Sequence, residues 1–225
     1  MDASSSREAH VSRHSGFDSR LAARWIRACA EEVSTHRDHL TQLDAAIGDA
    51  DHGVNMDRGF SAALSGLDAI EGVPPGQVLQ QTGATLMFRV GGAAGPLYGS
   101  AFRRAGEHLG DDASVGLEEL LAALREGLAA MQSLGAAVEG DKTIIDAWLP
   151  AIGSLERELR AGADPDVVVR RAREAAEAGA TATTAMQARK GRASYLGPRS
   201  VGHQDPGATS TALLFRALER AVNDP

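Results

Sequence analysis

Three carboxylates crowd into eight residues of the segment Leu43–Met56: Asp44, Asp49 and Asp51, with Gly48 and Gly53 beside them. Such a cluster repels itself unless a cation or a set of N–H donors neutralises it. Hard divalent cations such as Mg²⁺ or Ca²⁺ take oxygen ligands, and Mg²⁺ commonly brings phosphate with it. Spaced i, i+5 and i+7, the three side chains do not share a face of one continuous helix, but a break at Gly48 lets them converge. An EF-hand is excluded, because Phe60 stands where the loop needs its closing bidentate acid. The alternative is structural: Asp44 a solvated surface residue, and Asp49 the N-cap of a helix starting near His52. It accounts for one aspartate better than for three. His52 reads equally as a metal ligand, a phosphate contact, or a capping or packing histidine.

Three further segments carry polar residues between glycines. Gly91-Gly92-Ala93-Ala94-Gly95-Pro96 precedes a helix start, where free N–H groups and the helix dipole favour an anion; close packing of helices explains the same glycines. Gly140-Asp141-Lys142-Thr143 looks like the end of a P-loop, but no glycine is correctly placed upstream and no strand precedes it, so Walker A is rejected. Asp141 or Thr143 then reads as a helix start. Arg189 to Arg199, followed by Gly202 to Gly207, puts Arg189, Lys190, Arg192 and Arg199 on a glycine-rich stretch of an acidic chain. Anion binding suits that stretch, and a solvated basic loop is the alternative.

The elements that must hold these segments read as helices. Apolar residues recur at helical spacing, and no segment alternates convincingly. Helices are predicted over about 18–34, through Leu40 and Leu43, and from Met56 to Leu67. More follow over 78–90, from Pro96 to His108, from a Ser114 cap to about Ser133, through Ile145 to Ile152, from Asp164-Pro165 to about Ala180, and from Pro206 to Val222. Gln187 to Pro206 reads as a long loop. The expectation is an all-α, single-domain, up-and-down bundle of about eight helices without a sheet, in which alternate junctions share one end. Abundant alanine and 4% aromatic residues favour close packing through small side chains. A net charge of -7 argues against nucleic acid and anionic membrane as partners. The single cysteine, Cys29, lies in an apolar stripe and fits a reducing compartment. No apolar run spans a bilayer and Met1 to Gly16 has no apolar signal core, so residues 1–16 read as a disordered extension and the chain as cytoplasmic.

Taken together and in order, the strings Gly-Asp-Ala-Asp-His-Gly, Gly-Gly-Ala-Ala-Gly-Pro-Leu-Tyr-Gly, Gly-Asp-Lys-Thr and Lys-Gly-Arg-Ala-Ser-Tyr-Leu-Gly with Gly-His-Gln-Asp-Pro-Gly-Ala resemble the nucleotide-binding L subunit or domain of dihydroxyacetone kinases over about 18–222. The resemblance implies an eight-helix barrel over 17–225 with the nucleotide site at one end. It implies two Mg²⁺ ions held by Asp44, Asp49 and Asp51, and ADP or ATP contacted by His52, Gly53, Asn55, Ala93, Ala94, Gly135, Ile144, Arg192, Asp205, Pro206 and Gly207. Asp44, Asp49, Asp51 and Arg192 would then serve phosphoryl transfer to dihydroxyacetone, or a related short ketose, held on a separate K subunit. The phosphate would come either from a phosphocarrier M subunit of a phosphotransferase system recharging retained ADP, or from exchanging ATP. A homodimer stays open. Three departures from the family stand out: Ala94 where serine is usual, Ile144 where methionine is common, and Pro198 where an acid is frequent. A non-catalytic nucleotide-binding regulatory module and an unrelated metal-binding helical protein remain as other readings.

Overall fold

In the computed structural model the described residues are 16–67 and 72–223. The extension expected over 1–16 therefore lies, apart from Gly16, outside the described residues. The stripe Leu21, Trp25, Ile26, Cys29 and Val33 is buried along α1 (Ser19–Thr35), whose first turn is capped by Asp18 Oδ1 accepting the Leu21 N–H at 2.8 Å. Then come α2 (Arg37–Ile47), α3 (His52–Leu67), α4 (Pro75–Arg89), α5 (Ala94–Leu109) and α6 (Leu117–Gly135). The series ends with α7 (Ile145–Arg160), α8 (Pro165–Ala182) and α9 (Pro206–Asn223). Pro75 and Pro165 occupy first-turn positions, where the missing N–H costs nothing.

Helices α3 to α9 each pack on the next, and α9 and α3 both pack on α1, so eight helices close a ring. The short α2 lies outside that ring, against α3, α9 and the segment before α9. The interior is filled with side chains. Trp25 meets Phe102 at 5.3 Å and Phe17 at 6.1 Å between ring centres, and Trp148 meets Phe215 edge-on at 5.5 Å. Both indoles find acceptors across the barrel, Trp25 Nε1 at the Leu214 carbonyl (2.9 Å) and Trp148 Nε1 at the Leu124 carbonyl (3.3 Å). Small residues let α4 and α5 approach closely: a Cβ on Gly106 would lie 2.3 Å from the Gly76 carbonyl, and one on Gly83 2.6 Å from the Gly99 carbonyl.

The all-α expectation holds, with three local corrections. Residues Phe17–Asp18 and Ser114–Val115 form a two-stranded antiparallel pair, so the chain has a minimal sheet that two-residue strands could not signal by alternation. Ser114 consequently sits in that pair, and Gly116 holds the N-cap position of α6. The stretch from Gln187 to Pro206 is not all loop: residues Arg192–Ser200 wind into 3₁₀ turns kinked at Gly197. No helix among the described residues is long and apolar enough to cross a membrane.

Candidate functional site

The junctions α2–α3, α4–α5, α6–α7 and α8–α9 meet at one end of the ring and enclose a cavity of about 410 Å³, an ordinary size for a small-molecule site. Each of the four polar segments singled out in the sequence contributes to its lining.

At the α2–α3 junction the three aspartates converge, offering carboxylate oxygens that all lie within 4.8 Å of one another. Asp44 is buried, and its Oδ2 accepts the N–H groups of Asp51 (2.8 Å) and His52 (3.1 Å). Asp44, on the preceding helix, thus caps the start of α3; it is neither a solvated surface residue nor idle while Asp49 caps. Asp49 and Asp51 are exposed, and Arg192 Nε lies 3.1 Å from Asp49 Oδ2. Three converging hard oxygen donors, one oriented by two N–H bonds, fit a divalent cation of the Mg²⁺ or Ca²⁺ type.

The N-termini of α3, α5, α7 and α9 all reach this cavity, so four helix dipoles favour negative charge there. Their caps differ. Asp44 serves α3. At α7, Thr143 Oγ1 accepts the Ile145 N–H (3.2 Å) while Asp146 Oδ2 accepts the Thr143 N–H (2.7 Å), a reciprocal cap. At α9, Asp205 Oδ2 accepts the Ala208 N–H at 2.7 Å. By contrast, α5 starts at Ala93-Ala94 with no side-chain cap, after Gly92 at φ +65° has turned the chain, so its first N–H groups are left for a ligand. Asp141 belongs to the turn before α7, accepting the Val138 N–H at 3.0 Å.

Comparison with known proteins follows the same geometry. The DAK2 domain family matches residues 46–220. The chain belongs to the DAK2 domain family. It is 46% identical over 200 residues, 89% of its length and 95% of the relative's, to the Escherichia coli (strain K12) protein named PEP-dependent dihydroxyacetone kinase, ADP-binding subunit DhaL. It is 38% identical over 198 residues to the PTS-dependent counterpart of Lactococcus lactis subsp. lactis, covering 88% of this chain and 95% of that one. Among solved structures, the dihydroxyacetone kinase from C. freundii in complex with AMP-PNP and Mg²⁺ superimposes with a TM-score of 0.69 at 29% identity. That match covers 94% of this chain, which spans about a third (35%) of the C. freundii chain.

In this DAK2 chain, His52, Ala93, Ala94, Gly135, Ile144, Arg192, Asp205, Pro206 and Gly207 line the cavity with the three aspartates. Gly53 and Asn55 stand behind it. A Cβ on Gly53 would lie 2.0 Å from the Arg37 carbonyl, so this glycine lets α3 cross α2. The Asn55 carboxamide packs under Gly91 and accepts Arg58 Nη2 at 2.7 Å. His52 Nε2 meets Ser210 Oγ at 2.9 Å, and Ser210 Oγ meets Tyr98 Oη at 2.8 Å. One buried chain of hydrogen bonds thereby ties the starts of α3, α5 and α9. Burial pushes the His52 imidazole below its ordinary pKa, against the pull of Asp44 and Asp51, and pushes the Tyr98 hydroxyl well up. Burial also raises Asp205 to about 7, against the Ala208 N–H and Lys142.

Lys190, one of the four basic residues of the stretch before α9, lines the cavity, as do Leu97, Met131 and Ile47, which nothing in the sequence marks as site residues. Leu97 and Met131 sit in helical apolar stripes, which read as core. Lys142 belongs to the Gly-Asp-Lys-Thr string but has no site role in the sequence reading, yet it is 1% exposed and binds four main-chain carbonyls.

Proposed function

We propose that this chain is the nucleotide-binding, phosphoryl-transfer subunit of a dihydroxyacetone kinase. It would pass phosphate from Mg²⁺-bound ADP/ATP to dihydroxyacetone, or a related short ketose, held on a partner K subunit. The observation that carries the reading is the cavity itself, where a converging tri-aspartate cluster faces an uncapped helix start across one pocket. The names of the DhaL relatives and the AMP-PNP and Mg²⁺ complex of the C. freundii neighbour support it.

The cavity has the chemistry a nucleotide requires. Leu97, Met131 and Ile144 supply apolar surface for a base. The first N–H groups of α5 are placed to receive phosphate oxygens, and the dipoles of the other three helices add to that field. Asp44, Asp49 and Asp51 would hold two Mg²⁺ ions, which when bound neutralise phosphate charge. Arg192, beside Asp49, contributes a guanidinium to the charge developing on the transferring group. Positioning and charge neutralisation are what phosphoryl transfer chiefly asks of a protein.

The sugar arrives on the partner, so the mouth of the cavity must admit a second protein. Among the exposed large apolar side chains, Val54, Phe88, Leu134, Val138, Tyr195 and Val201 belong to the helix ends and junctions around that mouth, whereas Leu64 lies further along α3. Exposed apolar side chains at that end suit contact with a second protein. With 46% and 38% identity to the PEP- and PTS-dependent relatives, the reading takes ADP as a retained coenzyme, recharged in the cytoplasm by a phosphocarrier M subunit.

Native mass spectrometry of the chain after extended dialysis in Mg²⁺ buffer without nucleotide tests this. A retained mass of ADP with two Mg²⁺ is expected, and Asp49→Ala is expected to lose it while keeping its helical circular dichroism. A bare chain that rebinds and exchanges Mg-ATP would replace the coenzyme reading with a cosubstrate one. Unchanged Mg-ADP affinity in Asp49→Ala would remove the metal assignment.

A further inference from the structure

We propose that Lys142 is a positioning residue: its ammonium gathers the main-chain carbonyls at both ends of the α8–α9 segment and so holds Arg192 at the pocket. The inference rests on the nucleotide-binding reading above and assigns a task to a residue that reading does not use.

Lys142 Nζ donates to the carbonyls of Thr183 (2.9 Å), Met186 (3.2 Å), Ser200 (2.8 Å) and His203. Two of these acceptors lie where the chain leaves α8 and two just before it enters α9. The residues between them loop out over the cavity, and among them Lys190, Gly191, Arg192 and Ala193 reach its lining. The ammonium therefore closes the neck of a loop whose tip supplies the cation beside Asp49.

Three observations separate this arrangement from an ordinary buried lysine. A buried charge is tolerated only when its donors are satisfied, and an ammonium has three donors, here shared among four carbonyls at 1% exposure. Lys142 adopts φ +62°, a left-handed conformation that strains a non-glycine residue and persists where the surroundings demand it. The junction that carries it also grips the loop directly, the Asp141 carbonyl accepting the Arg189 N–H at 3.1 Å. Within the loop, the Ala188 N–H bonds Ser200 Oγ (2.9 Å) and the Gly202 N–H bonds the Thr184 carbonyl (2.8 Å). All of these ties lie at the neck, and Arg192 itself is two-thirds exposed at 67%. Without the ammonium, four carbonyls would face one another with no donor between them, and the neck would open.

The test compares the full chain with Lys142→Met, which keeps the length and apolar stem but removes the charge. Mg-ADP affinity is read by titration calorimetry, and order in the loop by amide hydrogen exchange over residues 186–201. The variant is expected to bind at least tenfold more weakly, with faster exchange in that stretch and unchanged helical circular dichroism. If Lys142 acts through Arg192, then Lys142→Met with Arg192→Ala binds no more weakly than the weaker single variant, because residues acting as a unit are not additive. In Lys142→Ala, n-propylammonium replaces the missing three carbons and the charge, and is expected to restore affinity and protection where n-propanol does not. Wild-type affinity with unchanged exchange in Lys142→Met, additive losses in the double variant, or absence of the propylammonium rescue would each overturn the assignment. So would collapse of the whole helical signal in Lys142→Met, since the residue would then carry the fold and not the loop. A wild-type chain that binds no Mg-ADP would instead defeat the nucleotide reading; the exchange comparison alone then decides for or against the clamp.

Discussion

Asp205 is the carboxylate most at odds with its surroundings. It is buried at the start of α9, near Asp44 and Asp146, and burial lifts it to about 7 although the Ala208 N–H and Lys142 favour its charged form. The folded protein therefore binds this proton more tightly than the unfolded chain, whose aspartates titrate at about 3.9. By linkage, the group's contribution to stability is full below about pH 4 and is lost as pH rises through about 7. Urea midpoints of the wild type are expected to carry this downward component between pH 4 and 7. Asp205→Asn preserves a good N-cap side chain and is expected to flatten it. A wild type and variant with superimposable pH profiles would show that Asp205 titrates normally. Asp44 shows the complementary case. Its two N–H bonds satisfy the start of α3 and at the same time aim a carboxylate at the other aspartates, so one residue serves the helix and the site.

At the scale of elements, the site depends on how α2 meets α3. Gly53 lies in the first turn of α3, where a Cβ would stand 2.0 Å from the Arg37 carbonyl and 2.5 Å from Thr41 Oγ1 on α2. Gly53→Ala must push α2 outward, and α2 carries Asp44. Overpacking of this kind costs about 1–3 kcal/mol. The variant is expected to lose that much in urea unfolding and also to weaken Mg²⁺-dependent ADP binding, although Gly53 does not line the cavity. Full affinity with lowered stability would mean that Asp44 keeps its place despite the shift. The helices themselves were readable because their buried stripes recur at 3.6 residues, as Leu21, Trp25, Ile26, Cys29 and Val33 do in α1. The Phe17–Asp18 pair with Ser114–Val115 was not, because a two-residue strand has no period and its partner lies almost a hundred residues away. Nor were the 3₁₀ turns of Arg192–Ser200, where Gly197 and Pro198 argue locally for a loop and the tertiary ties at the neck override them.

Over the whole molecule, the ring brings every second junction to one end and leaves apolar side chains around the opening. Phe88, near the end of α4, is 84% exposed and Tyr195, in the segment between α8 and α9, 87%. Under the proposed function this collar receives the K subunit. Phe88→Ala and Tyr195→Ala are expected to weaken the complex with that partner, measured by surface plasmon resonance, at least fivefold each, and to leave Mg-ADP affinity unchanged. Equal partner affinity in both variants would place the docking surface elsewhere. What the sequence determined by itself is local in its physics. Helix periodicity, the turn glycines and the crowding of Asp44, Asp49 and Asp51 each act within a few residues, and they sufficed for an all-α chain with a cation-seeking cluster. The resemblance added the order of four motifs. The tertiary structure decided what depends on long-range contact. It placed Gly53 and Asn55 behind the cavity, joined His52 to Tyr98 through Ser210, and put the Lys142 ammonium among carbonyls 41 to 61 residues away. A side chain's spacing along the chain says which neighbours it can meet within a turn or two of helix, whereas burial of a charge is settled only by which distant carbonyls close around it.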